Sequence, residues 1–271
     1  MNRYIIIIIV LFPTCSSKEM RIEDLKFNEV EKYFIKKNNV RESIISYDTA
    51  ALKNFTFTKS SRWDYKQLLE FCKNGIGTGI IKYDTNGNII SHYIREIMGT
   101  DQKFIYDSLG LLTRKIYDTD FRAEYSLRYN YDPKKRELFQ IWEQIDRKDS
   151  TTYRFNSKGF IISENGHFHD DKSIERTYEK TYSYEKDTLK KTITFYVNDY
   201  HKMIKSEENY FYKSNIINQI ETKYSYSTIN NLDYYPGIIK SIKQFDNKGL
   251  PVRLIETNEN KIEIIKLIEN R

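Results

Sequence analysis

The chain has 271 residues, of which 39% are hydrophobic and 30% are charged, and its net charge is +6. This apolar fraction is enough for a sizeable core and excludes wholesale disorder. Ten glycines and four prolines are too few for a collagen-like or linker-rich chain. The positive charge is mild and mixed with acidic residues, without the basic stripe that a nucleic-acid partner requires, so we expect no such partner. The 23 tyrosines are the most unusual feature of the composition.

The first nineteen residues have the layout of an export signal. Arg3 precedes an apolar run from Tyr4 to Phe12, and Cys15 follows shortly after that run. The run is too short to cross a bilayer as a helix. The segment resembles a bacterial lipoprotein signal, in which the cysteine becomes the lipidated first residue of the mature chain. An ordinary cleaved signal and a short uncleaved anchor are the alternatives.

The chain is expected to comprise three segments and to carry one modified residue. Residues 1–14 are expected to be a signal peptide, residues 15–29 a tether, and residues 30–271 the folded domain. Cys15 is the expected site of lipid attachment, with palmitate among its acyl chains. The resemblance also implies a location in the cell envelope, anchored through this lipid to the outer membrane.

A five-residue pattern recurs along the rest of the chain. It consists of an aromatic residue, Asp or Asn, two free positions and Gly. Asp or Asn can bond its own backbone two residues on, and Gly supplies the positive φ that a hairpin turn with a following bulge requires. We therefore interpret these positions as repeat turns. They are Asp84 and Gly87, Asp107 and Gly110, Asn156 and Gly159, and Asp246 and Gly249.

Looser copies of the pattern begin at Phe34, Phe57, Tyr131, Tyr184 and Tyr212, so that successive units are 23 to 33 residues apart. The stretches between the turns alternate aromatic and charged residues with period two, which is typical of half-buried strands. We expect on the order of eighteen strands. The residues from Ile22 to Lys37 are compatible with a short helix, but the repeat register favours a strand from Val30 to Ile35.

The predicted fold is all-β, an antiparallel meander of repeated β-hairpins that forms a long curled sheet. A barrel in the outer membrane is the less favoured alternative. Its lipid-facing side would carry several charges near strand centres, which a bilayer does not tolerate. These charged residues are Arg128, Glu175, Glu179, Glu221 and Lys223.

The repeat resembles the tyrosine–aspartate (YD) repeats, also called RHS repeats. The segments starting at Tyr83 and Tyr106 match the core of that pattern most closely. The resemblance implies a long antiparallel sheet that curls into a strip or shell, as in secreted and surface proteins of bacteria. Small YD-repeat lipoproteins are the nearer analogy, because the chain is too short to enclose a toxin domain.

Candidate chemistry is sparse. His167 and His169 can share one face of a strand and are weak candidates for a metal site, but the further ligands that structural zinc needs are not evident. We find no catalytic triad, nucleophile elbow or phosphate loop, and we expect no cofactor. Trp63 and Trp142 are the candidate binding residues, because exposed aromatic rings stack on sugars and anchor interfaces. The alternative is that the rings only fill the core.

These observations predict an exported lipoprotein of the cell envelope rather than an enzyme. Its expected role is non-catalytic binding or scaffolding, with the membrane as anchor and a protein or a glycan as ligand. The alternative function is a hydrolase that acts on polysaccharide through carboxylates that the sequence does not single out.

Overall fold

The protein is described by a computed structural model that covers residues 20–27, 30–48, 78–94, 100–118, 123–144, 147–169, 175–197, 203–226, 238–258 and 263–271. A short 3-10 helix, Ile22–Asp24, and one α-helix, α1, Val30–Lys37, precede the sheet. The strands are β1 Glu42–Tyr47, β2 Gly79–Tyr83, β3 Ile89–Ile94, β4 Thr100–Tyr106, β5 Leu112–Asp118, β6 Ala123–Asp132, β7 Glu137–Gln144, β8 Arg147–Phe155, β9 Ile161–His169, β10 Glu175–Glu185, β11 Thr188–Val197, β12 Met203–Lys213, β13 Ile216–Tyr226, β14 Ile238–Phe245, β15 Pro251–Asn258 and β16 Glu263–Asn270.

All sixteen of these strands pair antiparallel with their sequence neighbours, which confirms the predicted hairpin meander. The sheet does not stay open, however, because β1 pairs with both β2 and β16 and closes a barrel. Ser43 lies opposite Ile81 on one side and opposite Asn270 on the other. The predicted open, curled sheet is therefore wrong. The resemblance to the YD or RHS repeats is wrong with it, since a closed barrel is not a strip or shell of such repeats.

The tight turns gather at one end of the barrel, where they join β2 to β3, β4 to β5 and each later pair. The two-residue turns at Lys186–Asp187 and Ser214–Asn215 have positive φ at both positions, from 47° to 65°. This geometry matches the right-handed twist of the flanking strands. At the opposite end β1 ends at Tyr47 and β2 begins at Gly79, and residues 49–77 between them lie outside the described residues.

The N-terminal residues form a plug inside the turn end of the barrel; we use "the plug" for residues 20–27 and 30–40. The predicted strand from Val30 to Ile35 is wrong, because these residues belong to α1. In the helix the side chains of Phe34 and Ile35 both face the interior of the barrel, where they are 5% and 2% exposed. Burial of this helix face outweighs the local repeat register. The core lies around it and includes Leu138, Phe155, Ile161, Leu189, Ile217 and Phe245.

The outer face of the barrel is charged. Ion pairs join neighbouring strands there, with Arg154 Nε 2.9 Å from Glu137 Oε1 and Lys240 Nζ 3.2 Å from Glu221 Oε1. Further outer-face pairs are Arg114 with Glu124, Arg128 with Glu143, and Lys191 with Glu207. A lipid-facing charge near the bilayer centre costs roughly 2–4 kcal/mol, so this face suits water. No helix among the described residues has the length and apolar character to cross a membrane.

Candidate ligand site in the barrel lumen

The predicted repeat-turn residues lie at the turn end of the barrel. Asp84 Oδ1 accepts hydrogen bonds from the backbone N–H groups of Asn86 and Asn88, at 2.8 and 2.9 Å. Gly87 follows with φ +78°. The other three turns repeat this geometry, with Asp107 and Gly110, Asn156 and Gly159, and Asp246 and Gly249 in the same roles.

Three of these four glycines contact the plug. A Cβ on Gly87 would lie 2.8 Å from the Lys32 carbonyl oxygen, and one on Gly159 would lie 2.4 Å from that of Asp24. Gly249 packs directly against the Phe34 ring. Lys26 donates its N–H to the Gly159 carbonyl at 2.8 Å. The turns thus hold the plug at one end of the barrel. The polar side chains of the candidate site line the inner wall further from that end.

A cluster around Gln140 begins the polar part of the inner wall. The Gln140 amide donates to the Tyr129 hydroxyl at 2.7 Å. Its carbonyl oxygen accepts from Trp142 Nε1 at 2.9 Å and from the Tyr153 hydroxyl at 2.8 Å. Burial raises the pKa of Tyr129 to about 12, although the Gln140 bond opposes that rise. Trp142 is therefore held in place at the lumen surface by a buried amide.

A second cluster surrounds Glu164 of β9. Tyr178 donates its hydroxyl to Glu164 Oε2 at 3.1 Å, and Tyr182 donates to Oε1. Burial and the negative charge of Glu164 both raise the pKa of these two tyrosines. The Tyr178 ring covers Gly166 and stacks on Phe168 with centroids 5.6 Å apart. The missing side chain at Gly166 thus makes room for the ring.

A third cluster surrounds Glu208 of β12. Its Oε2 accepts from Thr192 Oγ1 at 2.6 Å and from the Tyr210 hydroxyl at 2.9 Å. Lys180 Nζ lies 3.8 Å from the same oxygen and 5.3 Å from the centroid of the Tyr182 ring. The carboxylates of Glu164 and Glu208 are therefore both engaged with the wall.

A positively charged side chain, in contrast to the two glutamate clusters, lies on the part of the inner wall formed by β3, β4 and β5. Lys115 Nζ lies 4.5 Å from the centroid of the Tyr117 ring and 5.3 Å from that of Phe104. Burial, together with the Lys115 charge, lowers the pKa of His92 on β3. Lys115 thus places a positive charge on this part of the inner wall, whereas the Glu164 and Glu208 clusters carry negative charge.

A cavity of about 380 Å3 lies between the plug and the wall. It is bordered by Glu31 and Lys32 of α1, by Ile89 and Tyr106 on one side, and by Tyr210 on the other. Because β4 and β12 lie on opposite sides of the sheet order, residues from both can border one cavity only inside the barrel. The interior next to the plug is thus partly empty.

The other predicted site residues lie in different parts of the structure and do not form one site. Trp142 faces the lumen, and His167 is exposed on the outer face of β9. His169 is two residues further along that strand. Among the residues described, no three His, Cys, Asp or Glu side chains are grouped to hold a metal ion. Cys15 and Trp63 lie outside the described residues.

Sequence reasoning missed the lumen residues. Glu164, Glu208, Gln140 and Lys115 occupy inward positions of the alternating strands, among tyrosines. The period-two pattern places mostly apolar and aromatic residues at inward positions. A polar residue at such a position was the available signal, and all four of these residues show it.

The chain matches no protein-family model and no curated protein. Among solved structures it is similar to a porin-like protein from Bacteroides vulgatus ATCC 8482, with 10% identity and a TM-score of 0.37 over 86% of this chain and 98% of that one. A porin-like protein from Bacteroides uniformis ATCC 8492 has 12% identity and a TM-score of 0.29, with the same shares of each chain covered. The TcdB2–TccC3–Cdc42 structure has 12% identity and a TM-score of 0.20, over 84% of this chain and 16% of that one. Likenesses with TM-scores this low identify neither a family nor a function.

Proposed function

We propose that this protein is a non-catalytic binding protein of the cell envelope and that it takes a glycan into the lumen of its barrel. The observation that carries the proposal is the character of the inner wall. Aromatic rings there alternate with fixed hydrogen-bonding groups, as in the Gln140 and Glu164 clusters. Sugars present both apolar ring faces and hydroxyl groups, so this combination suits them.

The wall is too polar for a lipid or another alkyl ligand. Small polar side chains line it, and several of them are buried. The wall therefore presents small polar side chains, to which an alkyl chain offers no hydrogen bonds. These residues are Thr151, Thr192, Thr194, Ser206 and Thr222.

The plug and the outer face support a binding role over a membrane pore. The plug packs across the turn end, so a ligand would enter from the opposite end of the barrel. The ion pairs on the outer face favour water around the barrel. Attachment to the outer membrane would then depend on a lipid at Cys15, and we propose that anchor together with the binding role.

Trp142 gives a direct assay of binding, because the chain has only two tryptophans. In the Trp63→Phe variant Trp142 is the single indole, and a glycan in the lumen should change its fluorescence. Neutral and acidic oligosaccharides would be titrated against this variant. Trp142→Ala lacks this signal, so its affinity and that of the parent protein would be compared by titration calorimetry. The variant should bind about tenfold or more weakly, as for other aromatic anchors.

Phe139→Ala is the matched control, because Phe139 lies on the same strand but is 39% exposed on the outer face. Its affinity should equal that of the parent protein. Release of sugar products during the titration would favour a hydrolase that uses Glu164 or Glu208. Absence of binding across the panel would contradict the proposal.

The lipid anchor has its own test, since Cys15→Ala should release the protein from membranes.

A further inference from the structure

Four lysines project into the lumen from the described strands, and three of them have a carboxylate partner. Lys243 Nζ lies 2.7 Å from Glu31 Oε1 of the plug, and Lys266 Nζ lies 3.1 Å from Glu256 Oε2. Lys180 lies beside Glu208. Lys115 is different, because no carboxylate of the described residues lies within ion-pair distance of it.

The groups around Lys115 attract its positive charge but do not neutralise it. Its ammonium group lies between the Phe104 and Tyr117 rings, which attract a cation through their π faces but carry no net charge. Lys115 is only partly exposed, so water screens its charge less than it screens an outer-face lysine. A lysine in this setting presents a positive charge to whatever enters the lumen.

Rings continue from Lys115 towards the Gln140 cluster. The Tyr117 and Tyr125 centroids are 5.6 Å apart, and those of Tyr125 and Trp142 are 6.3 Å apart. Trp142 in turn donates to Gln140. One wall of the lumen therefore offers a cation at one end and aromatic rings in the middle. At the other end it has an amide with phenol groups, and the buried Asp149 lies opposite Trp142.

We infer that Lys115 is the anion-binding residue of this wall, so that the ligand is an acidic glycan whose carboxylate or sulfate group pairs with the Lys115 ammonium while its sugar rings lie along Tyr117, Tyr125 and Trp142. This inference rests on the proposed function and adds the charge of the ligand to it. A charge-assisted bond between an ammonium and an oxyanion is stronger than one between neutral groups, so the anion should contribute strongly to affinity.

The test uses the full chain with matched oligosaccharides. Oligogalacturonate supplies a carboxylate on each sugar, its methyl ester is the neutral counterpart, and a sulfated galacto-oligosaccharide supplies the other anion. Dissociation constants would be measured by titration calorimetry for the parent protein, Lys115→Met and Lys115→Arg. Lys103→Met is the control, because Lys103 is exposed on the neighbouring strand and faces outward.

We expect an acidic oligosaccharide to bind more tightly than the neutral ester, and Lys115→Met to weaken that binding by about tenfold or more. Lys115→Arg should retain most of the affinity, and Lys103→Met all of it. The acidic ligand that responds to Lys115→Met identifies the anion as carboxylate or sulfate. Near-ultraviolet circular dichroism would show that each variant keeps its packed aromatic rings.

The outcomes separate this inference from the proposed function. Equal binding of the ester and the acidic forms would overturn the anionic site but leave a glycan-binding lumen intact. Tight acidic binding that survives Lys115→Met would overturn the assignment to Lys115. Failure of every oligosaccharide to bind would overturn both.

Discussion

At the residue scale, two turn glycines have nearly the same backbone conformation but different surroundings. Gly110 and Gly159 have φ values of +78° and +82°, so both turns need the left-handed conformation. Apart from its chain neighbours, no described residue has an atom within 4 Å of a Cβ built on Gly110, whereas the Asp24 carbonyl oxygen lies 2.4 Å from one built on Gly159. The comparison of these two sites therefore separates backbone strain from contact with the plug.

We expect Gly110→Ala to cost roughly 1–2 kcal/mol of unfolding free energy, because only the left-handed backbone is strained. Gly159→Ala should cost about 1–3 kcal/mol more, since the new methyl group must displace the plug. Urea unfolding of both variants measures the difference. Equal unfolding free energies would show that the plug does not rest on this turn.

Tyrosine ionisation is a second prediction at this scale. Burial raises the pKa of Tyr129, Tyr184 and Tyr212 to about 12, with charge from neighbouring groups adding to the rise at Tyr184. An unfolded tyrosine ionises near pH 10. Because the folded pKa is the higher one, the stability from these groups is complete below pH 10 and is lost as the pH rises from 10 towards 12.

Absorbance at 295 nm during an alkaline titration should show these phenols ionising about pH 12 or together with unfolding. The protein in guanidinium is the control, and all its tyrosines should titrate near pH 10. Glu164→Gln should lower the pKa of Tyr178 and Tyr182, because it removes a nearby negative charge but leaves their burial. A native titration identical to the denatured one would contradict the buried lumen wall.

At the scale of elements, the hairpins and α1 have different origins. Each hairpin is specified within a few residues, as when Asp246 Oδ1 accepts the N–H groups of Lys248 and Leu250. The helix is only eight residues long, which is marginal without tertiary contacts. Its stability therefore comes from the face that it buries in the barrel, and Phe34 is the centre of that face.

Phe34→Ala should destabilise the protein by about 3–5 kcal/mol, since it removes a buried ring that packs on Gly249. Tyr33 is the neighbouring residue on the same helix and is 59% exposed. Tyr33→Ala should therefore cost less than about 1 kcal/mol. Thermal unfolding of the two variants provides the measurement, and equal effects would place α1 away from the core.

At the scale of the whole molecule, closure depends on one strand pair between the two ends of the chain. Ser43 of β1 donates its hydroxyl to Asn270 Oδ1 of β16 at 2.7 Å, across 227 positions of sequence. This pairing removes both free edges, which would otherwise be available for association with another chain. The predicted open sheet would have kept those edges apart.

A disulfide between positions 43 and 270 tests this closure. Opposed residues in antiparallel strands have Cα atoms about 4.5–5.5 Å apart, which a disulfide can bridge. In a chain with Cys15 and Cys72 replaced by serine, Ser43→Cys with Asn270→Cys should oxidise within one molecule and raise the melting temperature.

The control pair is Ser43→Cys with Ser163→Cys, because β9 lies away from β1 in the sheet order. This control should remain reduced. Oxidation of the 43–270 pair only between molecules would indicate an open sheet with exposed edges.

Much of the sheet could be predicted from the sequence, and much of the lumen site could not. The period-two alternation shows which side chains share a face, and Trp142 was among the predicted binding residues. The partners of Glu164 and Glu208 were not predictable, because they depend on which strands become neighbours and on the register between them. The charges near strand centres made a barrel the less favoured alternative, yet the sheet closes, because those charges bear on contact with lipid and not on closure.

The sequence by itself determined the hairpins and their antiparallel order, because turn bonds span four residues or fewer and alternation is a property of each strand alone. Only the tertiary structure decided the closed barrel, the helix at residues 30–37 and the place of Lys115 among aromatic rings, with no carboxylate of the described residues in ion-pair distance. Curvature, closure and burial arise from contacts between residues far apart in the chain, and a local repeat does not specify them.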